Sequence, residues 1–252
     1  MKHSFLDRYS NINSVLRSWD PRVKIIVFFV ILLFVVTAAY NNRLEFVGYA
    51  LLILGIVILS RIPLGFIAKK ALQILPFVVL TACFLPFVKR GDIIFEWKGF
   101  VIVSCEGWHL FQITIARGVL AVVLLIVLIN SMPFASFLKV LQTLHVPVVF
   151  VSIIAFMYRF LFLIADESER MIRAKNSRAA KLSLIREVKT LSGILGSLFI
   201  RTYDRSERVY QAMCARGFKG EIHILSDFHM RANDWILAAV FLAAVIGIKI
   251  FL

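Results

Sequence analysis

The 252-residue chain is 60% hydrophobic and carries 29 Lys and Arg against 15 Asp and Glu, a formal net charge of +14. That apolar share exceeds the roughly 45–50% of soluble globular proteins, which excludes an ordinary soluble domain and indicates an integral membrane protein. The basic residues are spread between long apolar runs, so they suit loops facing anionic lipid, and no nucleic-acid partner is expected.

In chain order, the first predicted span is Val23 to Tyr40, apolar except for Lys24 near its start. At 1.5 Å per residue it crosses most of a hydrocarbon core about 30 Å thick. Thr37-Ala38-Ala39 resembles a cleavage site, but the 22 residues before the span are too long and too mixed in charge for the start of a secretory signal. Span two is expected over about Leu44 to Ser60 and span three over about Ala71 to Val88. Pro76 and Pro86 are tolerated in the third because neighbouring helices re-satisfy freed backbone groups. Span four, Phe111 to Ile129, contains Arg117 near one end, where a long side chain can snorkel to the interface. The last span is Trp235 to Leu252, with Asn233-Asp234 as its expected N-cap and Trp235 at the interface.

The loops carry an orientation signal. Residues 1–22 hold Lys2, Arg8, Arg17 and Arg22; residues 61–70 hold Arg61, Lys69 and Lys70; residues 166–231 hold thirteen Lys and Arg. Residues 89–109 hold Lys89, Arg90 and Lys98 balanced by Asp92, Glu96 and Glu106. A cytoplasmic N-terminus with four spans puts the three basic segments inside and the balanced loop outside. The apolar stretch Val146 to Ile164 resembles a sixth crossing. Arg159 interrupts it, however, and a further crossing would move the Arg-rich segment outside. Ser136 to His145 is therefore expected as a short interfacial helix, followed by a long helix with Pro147 in its first turn.

The region beyond contains a repeat. Shifting the chain by 38 residues lays Asp166–Lys181 over Asp204–Lys219 with seven of sixteen positions identical: Asp166/Asp204, Ser168/Ser206, Glu169/Glu207, Arg170/Arg208, Ala174/Ala212, Arg178/Arg216 and Lys181/Lys219. The pairs Asp166/Arg170, Glu169/Arg173 and Asp204/Arg208 stand four apart with the acid first, which supports exposed helix. Leu191, Ile194, Leu195, Leu198 and Phe199 give the second helix an apolar stripe that needs a partner. Arg178 and Arg216 can simply complement the negative ends of their helices, with Gly217 as C-cap of the second. That explanation does not require an arginine at the same place in both copies. An arginine at a helix tip, projecting from the same side of the bilayer in both rods, is suited to an acidic pocket on a partner.

Cys83, Cys105 and Cys214 are too scattered for a disulfide framework or a zinc site, and His223 and His229 miss the i, i+4 spacing of two ligands on one helical face. No Asp or Glu lies inside a predicted span, Glu45 and Asp234 being at ends, which disfavours a self-sufficient ion carrier. No Gly-x-x-x-x-Gly-Lys-Ser/Thr loop is present, so energy must come from another chain. The nearest approach to a catalytic cluster, Asp166, Glu167 and Glu169 with His145, reads as solvated charge. No enzyme activity, cofactor or metal site is expected.

"DPRVK" (20–24), "YRFLF" (158–162), "DESERMIRAKNSR" and "SERVYQAMCARGFKGE" together resemble the transmembrane T component of energy-coupling factor importers, of the CbiQ type found in the cobalt and nickel group. The resemblance covers nearly the whole chain, and Tyr210 to Gly217 is its specific part. It implies an L-shaped, all-α integral membrane protein with about five transmembrane helices and two long cytoplasmic coupling helices. The implied domains are four spans in 1–130, the interfacial and coupling region in 131–231, and the last span in 232–252. It implies a multi-pass protein of the prokaryotic inner membrane, with the N-terminus and coupling helices in the cytoplasm. Its implied partners are two ABC-type ATPase subunits (CbiO-like), a substrate-binding membrane subunit (CbiM-like), and a small accessory membrane subunit in some assemblies. The ATPase-docking residues carried over are Arg216 in Ala215-Arg216-Gly217 and Arg178 in Ser177-Arg178-Ala179, where the first triplet departs from the Ala-Arg-Gly pattern. The implied function is coupling of ATP-driven motion to uptake of cobalt or nickel. The alternatives are a vitamin importer of the same class and a stand-alone channel or carrier.

Overall fold

A computed structural model describes residues 16, 19–38, 43–88, 93–97, 100–178, 183–220 and 232–251. Residues 137–226 form one compact unit, and residues 4–136 with 227–252 form another.

The larger unit is built around helix α1 (Pro21–Thr37). Asp20 caps it, its Oδ1 accepting from the Arg22 amide at 2.9 Å, and Pro21 loses nothing at a position whose N–H would have no helical partner. Val27, Phe28, Ile31 and Val35 are fully buried, while Ile26, Phe29, Leu33 and Val36 on the other side are exposed. Both faces are apolar because one packs on protein and the other suits lipid. α1 packs on α5 (Cys105–Asn130) and α9 (Ala232–Phe251); α2 (Arg43–Ser60) packs on α5 and α9, and α3 (Leu64–Ala82) and the single turn α4 (Leu85–Val88) pack on α5. Tyr49, Ile53 and Ile56 of α2, Leu124 and Val127 of α5, and Ala238 and Val245 of α9 complete the core.

Among the described residues, Leu64–Ala82, Gly107–Asn130 and Val148–Arg178 are long and apolar enough to cross a membrane, and Leu44–Ser60 is a shorter apolar helix. The all-α expectation holds for every one of them, with one addition. Residues expected only as an outer loop contain an antiparallel hairpin, β1 (Ile93–Trp97) and β2 (Phe100–Ser104), in which Ile93 pairs with Ser104 and Trp97 with Phe100. Its β-branched and aromatic composition explains the strands.

Four expectations shift. Lys69 and Lys70 lie within α3 and not in a loop, because the turn before it, carried by Arg61 at φ 53°, is short. Asn233 and Asp234 lie inside the first turn of α9 and not ahead of it. Pro147 precedes α7 (Val148–Arg178) instead of entering it. Arg117 stands near the middle of α5, since that helix begins six residues earlier than expected, directly after β2. In place of snorkelling, its Nη2 donates to the Ala38 carbonyl at the C-terminal end of α1, and its guanidinium stands 5.8 Å from the Phe46 ring centroid.

Next to it, a Cβ on Gly118 would overlap the Val78 side chain of α3. Close helix approach through a small residue is the usual means of holding membrane helices together. Gly118→Leu should therefore force α3 from α5 at a cost of about 1–3 kcal/mol. It should be read as a lowered thermal midpoint of the protein in detergent.

Candidate functional site

The smaller unit comprises the end of α6 (Phe134–Thr143), α7 and α8 (Leu184–Ala215). α6 matches the short helix expected before the long one. It ends at His145, whose positive φ of 60° lets the Leu144, His145 and Val146 amides fold back on the carbonyls of Val140, Gln142 and Leu141.

α7 and α8 run antiparallel. Lys175 Nζ reaches Glu187 at 2.8 Å, Arg201 Nη1 reaches Glu167 at 3.1 Å, and Phe156 meets Phe218 edge-on with centroids 6.1 Å apart. Ser152 Oγ also donates to the Gly220 carbonyl at 3.5 Å. The C-terminal end of α8 thus lies beside the beginning of α7. Between the ties lies an apolar cleft of about 290 Å³, lined by Phe160, Leu163, Ile164, Phe199, Thr202 and Tyr203 among others. The apolar stripe of α8 divides: Leu198 is buried and Ile194 half-buried, while Leu191, Leu195 and Phe199 are exposed.

Both copies of the repeat occupy the C-terminal portions of their helices. Arg178 is the last residue of α7, and Arg216 is the C-cap of α8. Behind Arg216 the chain closes in a Schellman motif, with the Gly217 amide donating to Cys214 O and the Phe218 amide to Met213 O, both at 3.0 Å. Gly217 takes φ +83°, a conformation that L side chains rarely adopt. The motif turns the chain so that Phe218 packs on Phe156, leaving Ala215, Arg216 and Gly217 exposed. One turn earlier, a hydrogen bond to Cys214 holds the Tyr210 hydroxyl above its ordinary pKa.

Ser177 and Arg178 are likewise exposed, and Ser177 Oγ donates back to the Arg173 and Ala174 carbonyls at 3.0 and 3.1 Å. Ala179, named with them from the sequence, lies outside the described residues. Among the described residues neither Arg178 nor Arg216 pairs with a carboxylate. Some basic groups along the shafts are paired: Arg170 reaches Glu167 at 3.9 Å, and Arg173 reaches Glu169 at 3.5 Å as the spacing predicted. Exposed pairs of this kind contribute about 0.2–1 kcal/mol each. Arg178 and Arg216 present their charges outward, as do the exposed Arg186, Lys189, Arg205 and Arg208 along α8.

The structure does not bring the two arginines together. Arg216 is level with the start of α7, and the helix from Phe156 to Arg178 is about 33 Å long at the α-helical rise. Each arginine ends its own helix as expected, and because α8 runs back along α7 the two tips stand at opposite ends of the pair. The few residues between α7 and α8 force the second helix to return along the first. Sequence reasoning also passed over a second polar cluster, in the larger unit. There Lys24, Asp20, Ser131 and Asp234 are all buried, and Lys24 Nζ donates to the Ser131 carbonyl at 3.2 Å. The signal was present as a lysine inside an apolar span and as the "DPRVK" block. Among the described residues no group of three His, Cys, Asp or Glu is placed to hold a metal ion.

The family model described as cobalt transport protein, CbiQ, matches residues 12–225. The chain is 29% identical over 222 residues to the energy-coupling factor transporter transmembrane protein EcfT of Ruminiclostridium cellulolyticum, covering 82% of this chain and 81% of that one. It is 28% identical to the protein of the same name from Brevibacillus brevis, covering 93% of each. An uncharacterized protein of Methanocaldococcus jannaschii is 27% identical over 91% of this chain and 80% of its own length.

Gly217→Ala tests how the second tip is built. An alanine forced into the left-handed region costs about 1–2 kcal/mol. Amide exchange at positions 217 and 218 should then quicken about fivefold or more, with exchange in the middle of α8 unchanged.

Proposed function

The chain belongs to the CbiQ family, the transmembrane component of energy-coupling factor transporters, and from that premise we propose that it passes ATP-driven motion from two ATPase subunits to a substrate-binding membrane subunit. The observation that carries this reading is the pair of exposed arginines at the ends of α7 and α8, without a carboxylate partner among the described residues and set in a repeated sequence. Each guanidinium keeps its charge when partly desolvated and offers a planar fork of donors to carboxylates or carbonyls. Ser177 and Ala179 flank the first, Ala215 and Gly217 the second; small neighbours let a partner's groove close on the arginine.

Two tips about 33 Å apart along the helix direction suit two ATPase subunits, one on each, better than a single pocket holding both. Motion of the ATPases against each other would load the α7–α8 pair at its opposite ends. The cleft between the helices leaves them joined mainly by ties on either side of it, so their relative angle is the soft coordinate.

In this reading the membrane domain comprises residues 1–130 and 232–252, and residues 131–231 couple it to the ATPases. The N-terminus and coupling helices face the cytoplasm, and the apolar first half of α7 does not cross. A further crossing there would carry thirteen Lys and Arg to the outside. The chain has no catalytic role; ATP hydrolysis is assigned to the partners. For the cargo, the family description favours cobalt, or nickel as the neighbouring divalent ion, held in the substrate-binding subunit.

Charge reversal tests the docking. Arg178→Glu and Arg216→Glu should each weaken copurification of the ATPases by about 30-fold or more, as expected for a central interface arginine. The double variant should detach them and abolish cobalt uptake by vesicles. Full copurification with normal uptake in the double variant would overturn the assignment.

A further inference from the structure

The "DPRVK" block is not used by helix-tip docking, yet it forms the most buried polar cluster among the described residues. Lys24 is 1% exposed and Asp20, Ser131 and Asp234 are 5%, 6% and 4% exposed. The Lys24 amide donates to the Asp20 carbonyl at 3.1 Å, continuing the α1 ladder, while its side chain leaves α1 and donates to the Ser131 carbonyl at 3.2 Å. Asp20 uses Oδ1 to cap α1, and among the described residues its buried Oδ2 has no hydrogen-bond partner. The buried carboxylates of Asp20 and Asp234 both attract the Lys24 ammonium and offset part of its desolvation. Trp19 and Phe241, with ring centroids 5.5 Å apart, pack the same end of α1 against α9.

The partners of Lys24 have particular places in the chain. Ser131 ends the α5 segment just before α6, where the chain leaves for the unit of residues 137–226. Asp234 is in the first turn of α9, the first described element after the chain comes back. The Lys24 ammonium therefore ties the outgoing passage by a hydrogen bond and attracts the buried carboxylate of the returning one at the same helix end.

We propose that Lys24 is a positioning residue for coupling: by fastening both passages to the N-terminal end of α1, it makes the membrane unit follow a displacement of the α7–α8 unit as one body. This rests on the coupling function proposed above and adds to it the place where the motion enters the membrane unit. Without the tie, the passages through residues 131 and 234 yield separately and absorb the displacement. The ATPases would still dock on Arg178 and Arg216 and still hydrolyse ATP.

The test uses the whole complex reconstituted with its ATPases. Spin labels are placed on Cys83, exposed in the larger unit, and on Lys189→Cys, exposed on α8, in a Cys105→Ser/Cys214→Ser background. Distance distributions are recorded with and without ATP trapped by vanadate. With Lys24 intact the trapped state should shift the distribution. In Lys24→Met the population that shifts should fall about fivefold or more, while ATPase copurification and hydrolysis stay at the wild-type level; Lys24→Arg should restore the shift. Asp234→Asn, which keeps the shape of the side chain, should act in the same direction and decides the matter if Lys24→Met does not assemble. A full shift in Lys24→Met or, where that variant does not assemble, in Asp234→Asn overturns the proposal and leaves the docking assignment standing. Absence of any ATPase copurification with the unmutated chain overturns the docking assignment itself.

Discussion

The larger unit depends on α1 being held at both ends by charged side chains from other helices or directed to them. Apolar helices in a bilayer gain nothing from leaving water when they meet, since lipid is as apolar as their neighbours. Packing and polar ties decide which helices stay together. At its N-terminal end α1 sends Lys24 to the Ser131 carbonyl. At its C-terminal end it receives Arg117 from α5 on the Ala38 carbonyl and Lys249 from α9 over the Phe34 ring, 5.1 Å from its centroid. The second set places cations where the helix dipole is negative and carbonyls lack helical partners. α5 and α9 are thus the two helices fastened to α1 at both ends.

The smaller unit uses a different principle. α8 has a buried side at Leu198 and an exposed apolar side at Leu195 and Phe199, so the pair is not a closed two-helix core. It is held by Lys175 with Glu187 toward one end and by Phe156 with Phe218 toward the other, across a cleft. Lys175 is the better anchored of these ions, its side chain being only 11% exposed. A pair joined at separated points can change its angle without losing much buried surface, whereas the interdigitated helices around α1 cannot.

Much of this was legible in the sequence, for reasons that also explain the remainder. Long apolar runs mark helices in any membrane protein, so α2, α5 and α9 were found to within a few residues at most ends. The face of α1 that packs inward was not legible. Val27, Ile31 and Val35 are no more apolar than Ile26, Leu33 and Val36, and no polar residues mark the outer side. The charge balance around residues 93–104 carries no sign of the hairpin there, which only the β-branched and aromatic composition marks. Arg117 lies deeper in its helix than the apolar run alone indicates, because polar residues including Glu106 and His109 belong to the start of α5. At the tips the 38-residue repeat located Arg178 and Arg216 correctly at helix ends, since a conserved offset carries helix termini along with the residues. It could not say which way the second helix runs. The short connection between Arg178 and Leu184 could have, because a link of a few residues leaves two long helices little choice but to return antiparallel.

That reversal changes what the two arginines can mean. Had both stood at the far end of parallel rods, one acidic surface could have received them together, and the repeat would describe a single bivalent contact. With α8 returning along α7, Arg216 lies beside the beginning of α7 and Arg178 at its end. The two tips are also made differently. Arg216 is followed by a glycine in a Schellman turn that fixes where its backbone ends, while Arg178 terminates α7 in a Ser-Arg-Ala triplet without that glycine. Two like charges on unlike mounts, far apart, suit two separate contacts better than one shared pocket. Under the proposed function the duplicated sequence suits two equivalent partners, and the difference between the triplets would let those contacts differ in stiffness while sharing the same chemistry.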